Sequence, residues 1–327
     1  MLAMLRELDD PQQRYAAIHV VGTNGKSTAT RTIEALLLAE GLSVGATVSP
    51  HVRSWAERIT IDGAEVELDD ALARVEPVAR RHRATQFETI TVAAFAAFAA
   101  AVVDAAVVEA GLGGRHDATN VLHAGVVLLT SVGLEHTDVL GETVDAIAAE
   151  KLAVGYPGAV VILPDRRFEH LVEEGCEIRV GGAREAAVAF LGRQPGPVPD
   201  VSLPGRLERR DGEVRDGAHN PDGVRWLVER LRPACYVICA SILQDKDAAA
   251  MLAGLASLGD TFVATRSSNP RAFAADALAE RARDYFPNVE SLDEPAAALR
   301  RAHELGEPVL VTGSLYLLMD LAGATES

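Results

Sequence analysis

Cysteine is scarce in this chain of 327 residues. Cys176, Cys235 and Cys239 form an odd set without Cys-x-x-Cys spacing, which argues against a disulfide framework or thiolate metal site and makes free thiols in a reducing cytoplasm the expectation. Positive charge is also in short supply, with 31 Lys and Arg against 47 Asp and Glu, a formal charge of −16 and no basic stripe. Such a surface repels phosphate backbones, so no nucleic acid partner is expected, and any polyanionic ligand must meet locally placed positive charge. A membrane-length apolar run is missing too. The longest stretch, Thr91 to Val108, is mostly alanine, carries Asp104 and runs into a glycine loop, so it reads as a core helix followed by a strand. The N-terminus, MLAMLRELDDPQQR, has acids where a signal peptide needs a basic region, and a cytoplasmic location without membrane contact is expected. What is abundant is apolar content, 48%, enough for the cores of two ordinary domains.

The strongest local pattern lies at 16 to 41, where an apolar run from Ala17 to Val21 meets Gly22-Thr23-Asn24-Gly25-Lys26-Ser27-Thr28 and then a helical pattern ending at Gly41. This is a strand, a loop and a helix. Without Cβ atoms at Gly22 and Gly25 the loop can turn sharply and aim its N–H groups, with the helix N-terminus, at an anion; Lys26 adds a point charge, and Ser27 or Thr28 offers a hydroxyl to Mg²⁺. The spacing is a contracted G-x-x-G-K-S-T rather than G-x-x-x-x-G-K-[ST], since Val20 stands where the first glycine would fall. An ordinary glycine turn before a helix is the plainer reading, but a lysine and two hydroxyls in register favour nucleotide binding.

Helical and strand patterns alternate almost throughout, which indicates an α/β fold with mainly parallel sheets. Strands are expected at Ala17 to Val21, Ser43 to Val48, Ala105 to Glu109, Gly125 to Val132 and Ala159 to Leu163, and later near Tyr236 to Ala240, Thr261 to Ala264 and Pro308 to Thr312. Asp62-Gly63 between short apolar arms reads as a hairpin over 59–66. The proline-rich 194–204 segment resembles a linker, and we place the domains at 1–211 and 212–327. Ligands of open parallel sheets sit at the carboxyl ends of strands. Those ends carry the phosphate loop, Ser49-Pro50-His51, Glu109 followed by Gly111-Leu112-Gly113-Gly114-Arg115, and Gly133-Leu134-Glu135-His136. Mg²⁺ in nucleotide sites takes one or two carboxylates with phosphate oxygens and water, a role Glu109 fits.

With these residues in view, the chain resembles the folylpolyglutamate synthase and dihydrofolate synthase family of the Mur-ligase superfamily. The likeness runs in order through IHVVGTNGKST, TVSPHVRSWAERITIDG, FETITVAAF, VVEAGLGGRHDATNV, TSVGLEHTDVLG, IAAEK, LPGRLE, DGAHNPDG, LQDKD and VLVTGSLYL. It implies a P-loop parallel-sheet ATPase domain followed by a smaller Rossmann-like domain, and a monomer that uses ATP and Mg²⁺ to join L-glutamate to a folate or related carboxylate through an acyl phosphate. By the same resemblance, Gly22, Thr23, Asn24, Gly25, Lys26, Ser27 and Thr28 hold phosphates, and Arg206, Asp216, His219 and Asn220 serve the nucleotide from the second domain. Ser27, Ser49, Glu109, His136 and Lys151 form the metal set, and Lys26, Glu109, His136 and Lys151 are the catalytic residues it implies.

Several positions depart from the family pattern. Ser27 replaces a usual glycine, Glu135 a usual aspartate and Arg215 a usual apolar residue; the chain begins close to the phosphate loop, and the segment between Ile162 and Leu203 is short. The missing stretches are where the family touches its pterin, so a Mur-type ligase with a non-folate acid and an ATP-binding paralogue without turnover stand as the alternatives. Lys151 falls on the apolar stripe of Val144, Ile147, Ala148 and Leu152 in a helical pattern over 143–154. Burial lowers a lysine pKa, and a neutral amine can add CO₂ to become an oxygen ligand. The family's modified lysine lies in a segment similar to IAAEK. The alternative is a lysine that snorkels to solvent.

Overall fold

A strand that begins a βαβ unit must bury both faces, and the segment Ala16–Val21 (β1) is apolar at every position except His19. In the computed structural model, which describes residues 1–323, this strand is central. The described chain divides into two compact units, one over 1–201 and the other from 202 onward. The expected division after Asp211 lies ten residues later and would separate two paired strands, Glu208–Arg210 and Glu213–Arg215, which belong wholly to the second unit.

The first unit is built on an eight-stranded sheet. Its strands are β1, β2 (Val44–Thr47), β3 (Ile59–Ile61), β4 (Ala64–Glu65), β5 (Ala105–Glu109), β6 (Val126–Leu129), β7 (Val160–Leu163) and β8 (Glu177–Val180), in the order β4-β3-β2-β5-β1-β6-β7-β8. All pairings are parallel except β2 with β3 and β3 with β4. The hairpin over Asp62-Gly63 is as expected, with positive φ at both turn residues. One face of β1 packs Ile18 and Val20 against Ile33, Leu36 and Leu37 of the helix Lys26–Ala39. On the opposite face, Phe95 and Phe98 of the helix Gln86–Ala101 share a cluster with Ala17, and Ala148 and Leu152 of the helix Val144–Leu152 share one with Val21.

The second unit has a six-stranded sheet of β9 (Glu208–Arg210), β10 (Glu213–Arg215), β11 (Val237–Ala240), β12 (Thr261–Ala264), β13 (Asn288–Ser291) and β14 (Val309–Thr312). The order is β13-β12-β11-β14-β10-β9, and only the β9–β10 pair is antiparallel. Within β10, Val214 enters the apolar cluster of this unit, whereas Glu213 and Arg215 are buried as an ion pair at 2.6 Å. The strands absent from the sequence reading are β8, β9, β10 and β13. Three of them lie at sheet edges, where half-exposed strands need no apolar run, and β10 buries charge. Among the described residues no helix is long and apolar enough to cross a membrane.

Candidate functional site

The phosphate loop is fixed by the strand end beside it. Thr23 N donates to Ser131 O at 2.8 Å, Asn24 N to Ser131 Oγ at 3.0 Å, and the Thr130 and Ser131 hydroxyls both donate to Asn24 O, at 2.8 and 3.0 Å. Gly133 N reaches Thr23 Oγ1 at 3.1 Å. These bonds explain why β6 ends at Leu129 and not at the expected Val132: Thr130 N makes the last bond to β1, to Val21 O at 2.9 Å, and residues 131–133 turn away to bind the loop. Gly22 lies at φ +148°, and a Cβ there would sit far inside contact distance of Thr130 Oγ1 and 3.1 Å from Ser131 N. Only glycine lets the two backbones come this close. Gly25, at φ +84°, is the N-cap of the helix Lys26–Ala39. Ser27 is buried in the first turn of that helix, and Thr28 beside it is half-buried.

Two lysines converge on this loop. Lys26 Nζ donates to Gly22 O at 3.1 Å and Lys151 Nζ donates to the same oxygen at 2.9 Å. Lys151 is 4% exposed and does not snorkel to solvent. Burial pushes its pKa down to about 8, and the neighbouring Lys26 acts in the same direction against Glu135, Asp117 and Glu150. Two ammonium groups on one buried carbonyl call for an anion between them or for the loss of one charge.

Glu109 ends β5, is 3% exposed, and its Oε2 accepts the Ser49 N–H at 3.1 Å, which places Ser49 and Glu109 side by side across the β2 and β5 strand ends. His136 precedes a single helical turn over 137–140 in left-handed backbone, φ 50°, with Nε2 3.9 Å from Glu135 Oε1. Among the described residues no group of three or more His, Cys, Asp or Glu side chains could enclose a metal. Of the expected cation ligands, Ser49 and Glu109 are brought together by the bond above, and Ser27 lies buried in the first turn of the phosphate-loop helix; carboxylate and hydroxyl are the oxygen donors that a hard cation prefers. Lys151 joins such a set only once its ammonium charge is lost.

The loop after β5 has an organiser that the sequence reading missed. Asp117 accepts the Leu112 N–H at 2.8 Å, the Thr119 N–H at 2.9 Å and the Thr119 hydroxyl at 2.5 Å, while His19 Nε2 lies 2.8 Å from that hydroxyl. With the Thr119 proton given to Asp117, His19 donates from Nε2, and its buried Nδ1 has no partner. Burial holds the His19 pKa down at about 4, against the pull of Asp117. The D-x-T spacing of an Asx turn was the available signal. Gly114 packs directly on the helix Val144–Leu152, where a Cβ would lie 2.5 Å from Lys151 O.

In the second unit the expected residues gather at the carboxyl end of β10. Asp216, 4% exposed, accepts the Leu207 N–H at 2.8 Å and the Ala218 N–H at 2.9 Å; burial raises its pKa while these bonds and Arg206 oppose the rise. Asn220 Oδ1 caps the helix Pro221–Arg230 through Gly223 N at 2.8 Å, and His219 Nδ1 lies 2.8 Å from Gly217 O. Arg206 Nη1 donates to Gly205 O at 3.2 Å. Asp216 and Asn220 therefore shape the loop that presents His219.

The Mur ligase middle domain matches residues 20–174, and the Mur ligase glutamate ligase domain matches 205–315. The chain is 31% identical to the dihydrofolate synthase/folylpolyglutamate synthase of Mycobacterium tuberculosis, with 87% of this chain and 77% of that one aligned. It is also 31% identical to the folylpolyglutamate synthase of Lacticaseibacillus casei, over 97% and 91% of the two. These alignments run to 374 and 398 positions, more than the 327 residues here, so both relatives carry segments without a counterpart. Among solved structures, Mycobacterium tuberculosis folylpolyglutamate synthase complexed with ADP and AMPPCP superposes with a TM-score of 0.90 at 28% identity, covering 100% of this chain and 94% of that one. A bifunctional folylpolyglutamate synthase/dihydrofolate synthase with Mn, AMPPNP and L-glutamate bound gives 0.86 at 29% identity, with 99% and 93% covered.

Proposed function

Because the chain belongs to the dihydrofolate synthase/folylpolyglutamate synthase family of Mur ligases, we propose that it joins L-glutamate to a folate in an ATP-dependent ligation. The acceptor carboxylate attacks the γ-phosphorus and the bond to ADP breaks, leaving an acyl phosphate. The glutamate nitrogen then attacks the acyl carbon, phosphate departs, and the nitrogen loses a proton as the amide forms. Little of this is bond-making by the protein; positioning and charge neutralisation carry phosphoryl transfer.

The observation that carries the reading is the preorganised cradle of Gly22 to Thr28, held by Thr130, Ser131 and Gly133 with two lysines on one carbonyl. Donors fixed in advance need no reorganisation when charge develops. In this reading Lys26, the Gly25 amide and the N-terminus of the helix Lys26–Ala39 hold the phosphates. Gly22, Thr23 and Asn24 shape the loop, since the Thr23 and Asn24 amides donate to Ser131 and do not face the anion as the sequence led one to expect. Arg206, Asp216, His219 and Asn220 form the second unit's nucleotide contribution. The cation is Mg²⁺, and Ser27, Ser49, Glu109, His136 and a carbamylated Lys151 are the residues that would hold it. When bound it neutralises phosphate charge. Carbamylation requires the neutral Lys151 amine: the ammonium first loses one proton, the amine nitrogen then bonds to CO₂ and loses a second, and the side chain has passed from cation to anion, which removes the two-lysine conflict at Gly22 O.

Phosphate release from ATP, measured with the purified protein and Mg²⁺, tests the reading. Tetrahydrofolate plus glutamate is expected to stimulate release, and muramyl-type acids are not. The segments of both relatives that lack a counterpart here favour one second reading, the same chemistry on a non-folate acid. Stimulation by such an acid and not by tetrahydrofolate or dihydropteroate would establish it.

A further inference from the structure

Glu57 is buried in the first unit, and its carboxylate is spent on its own loop. Oε2 accepts the Val52 N–H at 2.8 Å, and Oε1 accepts the N–H of Arg53 at 2.7 Å, the N–H of Ser54 at 3.3 Å and Arg53 Nε at 3.1 Å. One carboxylate thus closes residues 52–57 into a turn. The same turn is tied to the phosphate-loop helix. Arg31 Nη2 donates to Glu57 O at 2.7 Å, and its Nη1 donates to Glu34 at 2.8 Å and to the Thr60 hydroxyl. That hydroxyl donates in turn to Glu34 Oε1 at 2.6 Å. The helix that opens with Lys26 and Ser27, the loop that opens with Ser49, and strand β3 are therefore one hydrogen-bonded block.

We infer that Glu57 is a positioning residue for the ligation: through its three amide bonds and Arg31 it sets where Ser49 stands relative to Lys26, Ser27 and Glu109. The inference rests on the nucleotide and cation roles proposed above for those residues. Only a carboxylate serves. A glutamine would turn an NH₂ toward at least one of the converging N–H groups and leave a buried donor unpaired. The loop carries its own reporter, because the Trp55 ring lies 4.5 Å from the His51 ring and the Arg58 guanidinium sits 4.2 Å over it. The other tryptophan, Trp226, is 41% exposed in the second unit and can be replaced by Phe.

The test compares Trp226→Phe with Trp226→Phe/Glu57→Gln. In the double variant without ligands, Trp55 emission is expected to move to longer wavelength with stronger acrylamide quenching. ADP affinity in the absence of divalent cation and KM for ATP stay as in the parent, and the Mg²⁺ concentration for half-maximal phosphate release rises roughly tenfold or more, as for other residues that orient a metal ligand. Arg31→Met, which keeps the side-chain stem and loses the tie, is expected to shift the same readouts less, and it decides the question if Glu57→Gln does not fold. Parental Trp55 emission and Mg²⁺ requirement would overturn the inference, as would a loss of cation-free ADP affinity in step with the Mg²⁺ effect, which marks general fold support. If the parent itself shows no folate-dependent release, the ligase reading fails, and Trp55 emission and quenching alone decide the role of Glu57.

Discussion

Replacing Gly22 by Ala probes the phosphate cradle at its tightest point. The new methyl would overlap Thr130 Oγ1 and stand 3.1 and 3.2 Å from Ser131 N and O, at a φ of +148° that L residues rarely adopt. The backbone conformation alone costs about 1–3 kcal/mol. Crowding against fixed backbone adds about 1–3 kcal/mol. Displacing the Thr130 hydroxyl from Asn24 O removes a bond worth about 1 kcal/mol. The sum, ~3–7 kcal/mol, is a large fraction of what holds a domain folded. Gly25→Ala is the control: no atom lies within 4 Å of its Cβ, so only the left-handed φ of +84° is penalised, by about 1–2 kcal/mol. Calorimetric melting and ADP titration should therefore rank wild type above Gly25→Ala above Gly22→Ala, with ADP binding lost in the last. Adding Thr130→Ala to Gly22→Ala removes the worst overlap and should recover part of the melting loss. Gly22→Ala that melts and binds ADP like wild type would refute the close-approach argument.

Three further outcomes are expected. Lys26→Ala should leave far-ultraviolet circular dichroism unchanged and abolish most ADP affinity; turnover at the wild-type rate would remove the phosphate-loop assignment. Lys151→Ala should lose phosphate release, a short carboxylic acid should restore part of it, and wild-type crystals grown with bicarbonate, an ATP analogue and Mg²⁺ should carry extra density on Nζ. For His19 the folded pKa of about 4 lies below its ordinary 6.5. The unfolded chain then binds more protons between these values, so the contribution to stability is complete above pH 6.5, declines as pH falls and is exhausted near pH 4, of the order of a few kcal/mol in all. Melting temperatures between pH 4.5 and 7.5 should fall less steeply for His19→Gln than for wild type.

Much of the candidate site could be read from the chain because open parallel sheets bind ligands at strand ends, and those ends are marked by sharp changes from apolar to polar residues. Gly22 to Ser27, Ser49 and Glu109 stand out for that reason. The supports did not stand out. Thr130 and Ser131 are unremarkable hydroxyls until the fold brings them to Asn24, and Glu57 looks like any helix-start acid until three amides converge on it. Burial of Lys151 was legible from the helical period, but its bond to Gly22 O, the carbonyl that Lys26 also meets, joins Lys151 to a residue 129 positions away and arises only in the folded chain. Edge strands β8, β9 and β13 escaped because exposure on one side releases them from the apolar pattern.

The charged pair inside β10 acts as an index mark for that strand. Strand pairing is indifferent to which residue meets which, apart from what the side chains meet on each face, and a shift by one position exchanges the faces. In β10 such a shift would carry Glu213 and Arg215 together, a pair 2.6 Å apart, into the cluster that now holds Val214, and would take Glu213 away from His303 Nε2, now 3.3 Å from its Oε2. Moving charged groups from polar surroundings into an apolar cluster is penalised by several kcal/mol, whereas an all-apolar strand would slide at little cost. Because Asp216 to Asn220 follow directly, an alignment error in this strand would move His219 by a full residue step, about 3.3 Å. The arginine that breaks the apolar run thereby keeps the histidine loop in step with its neighbour β14.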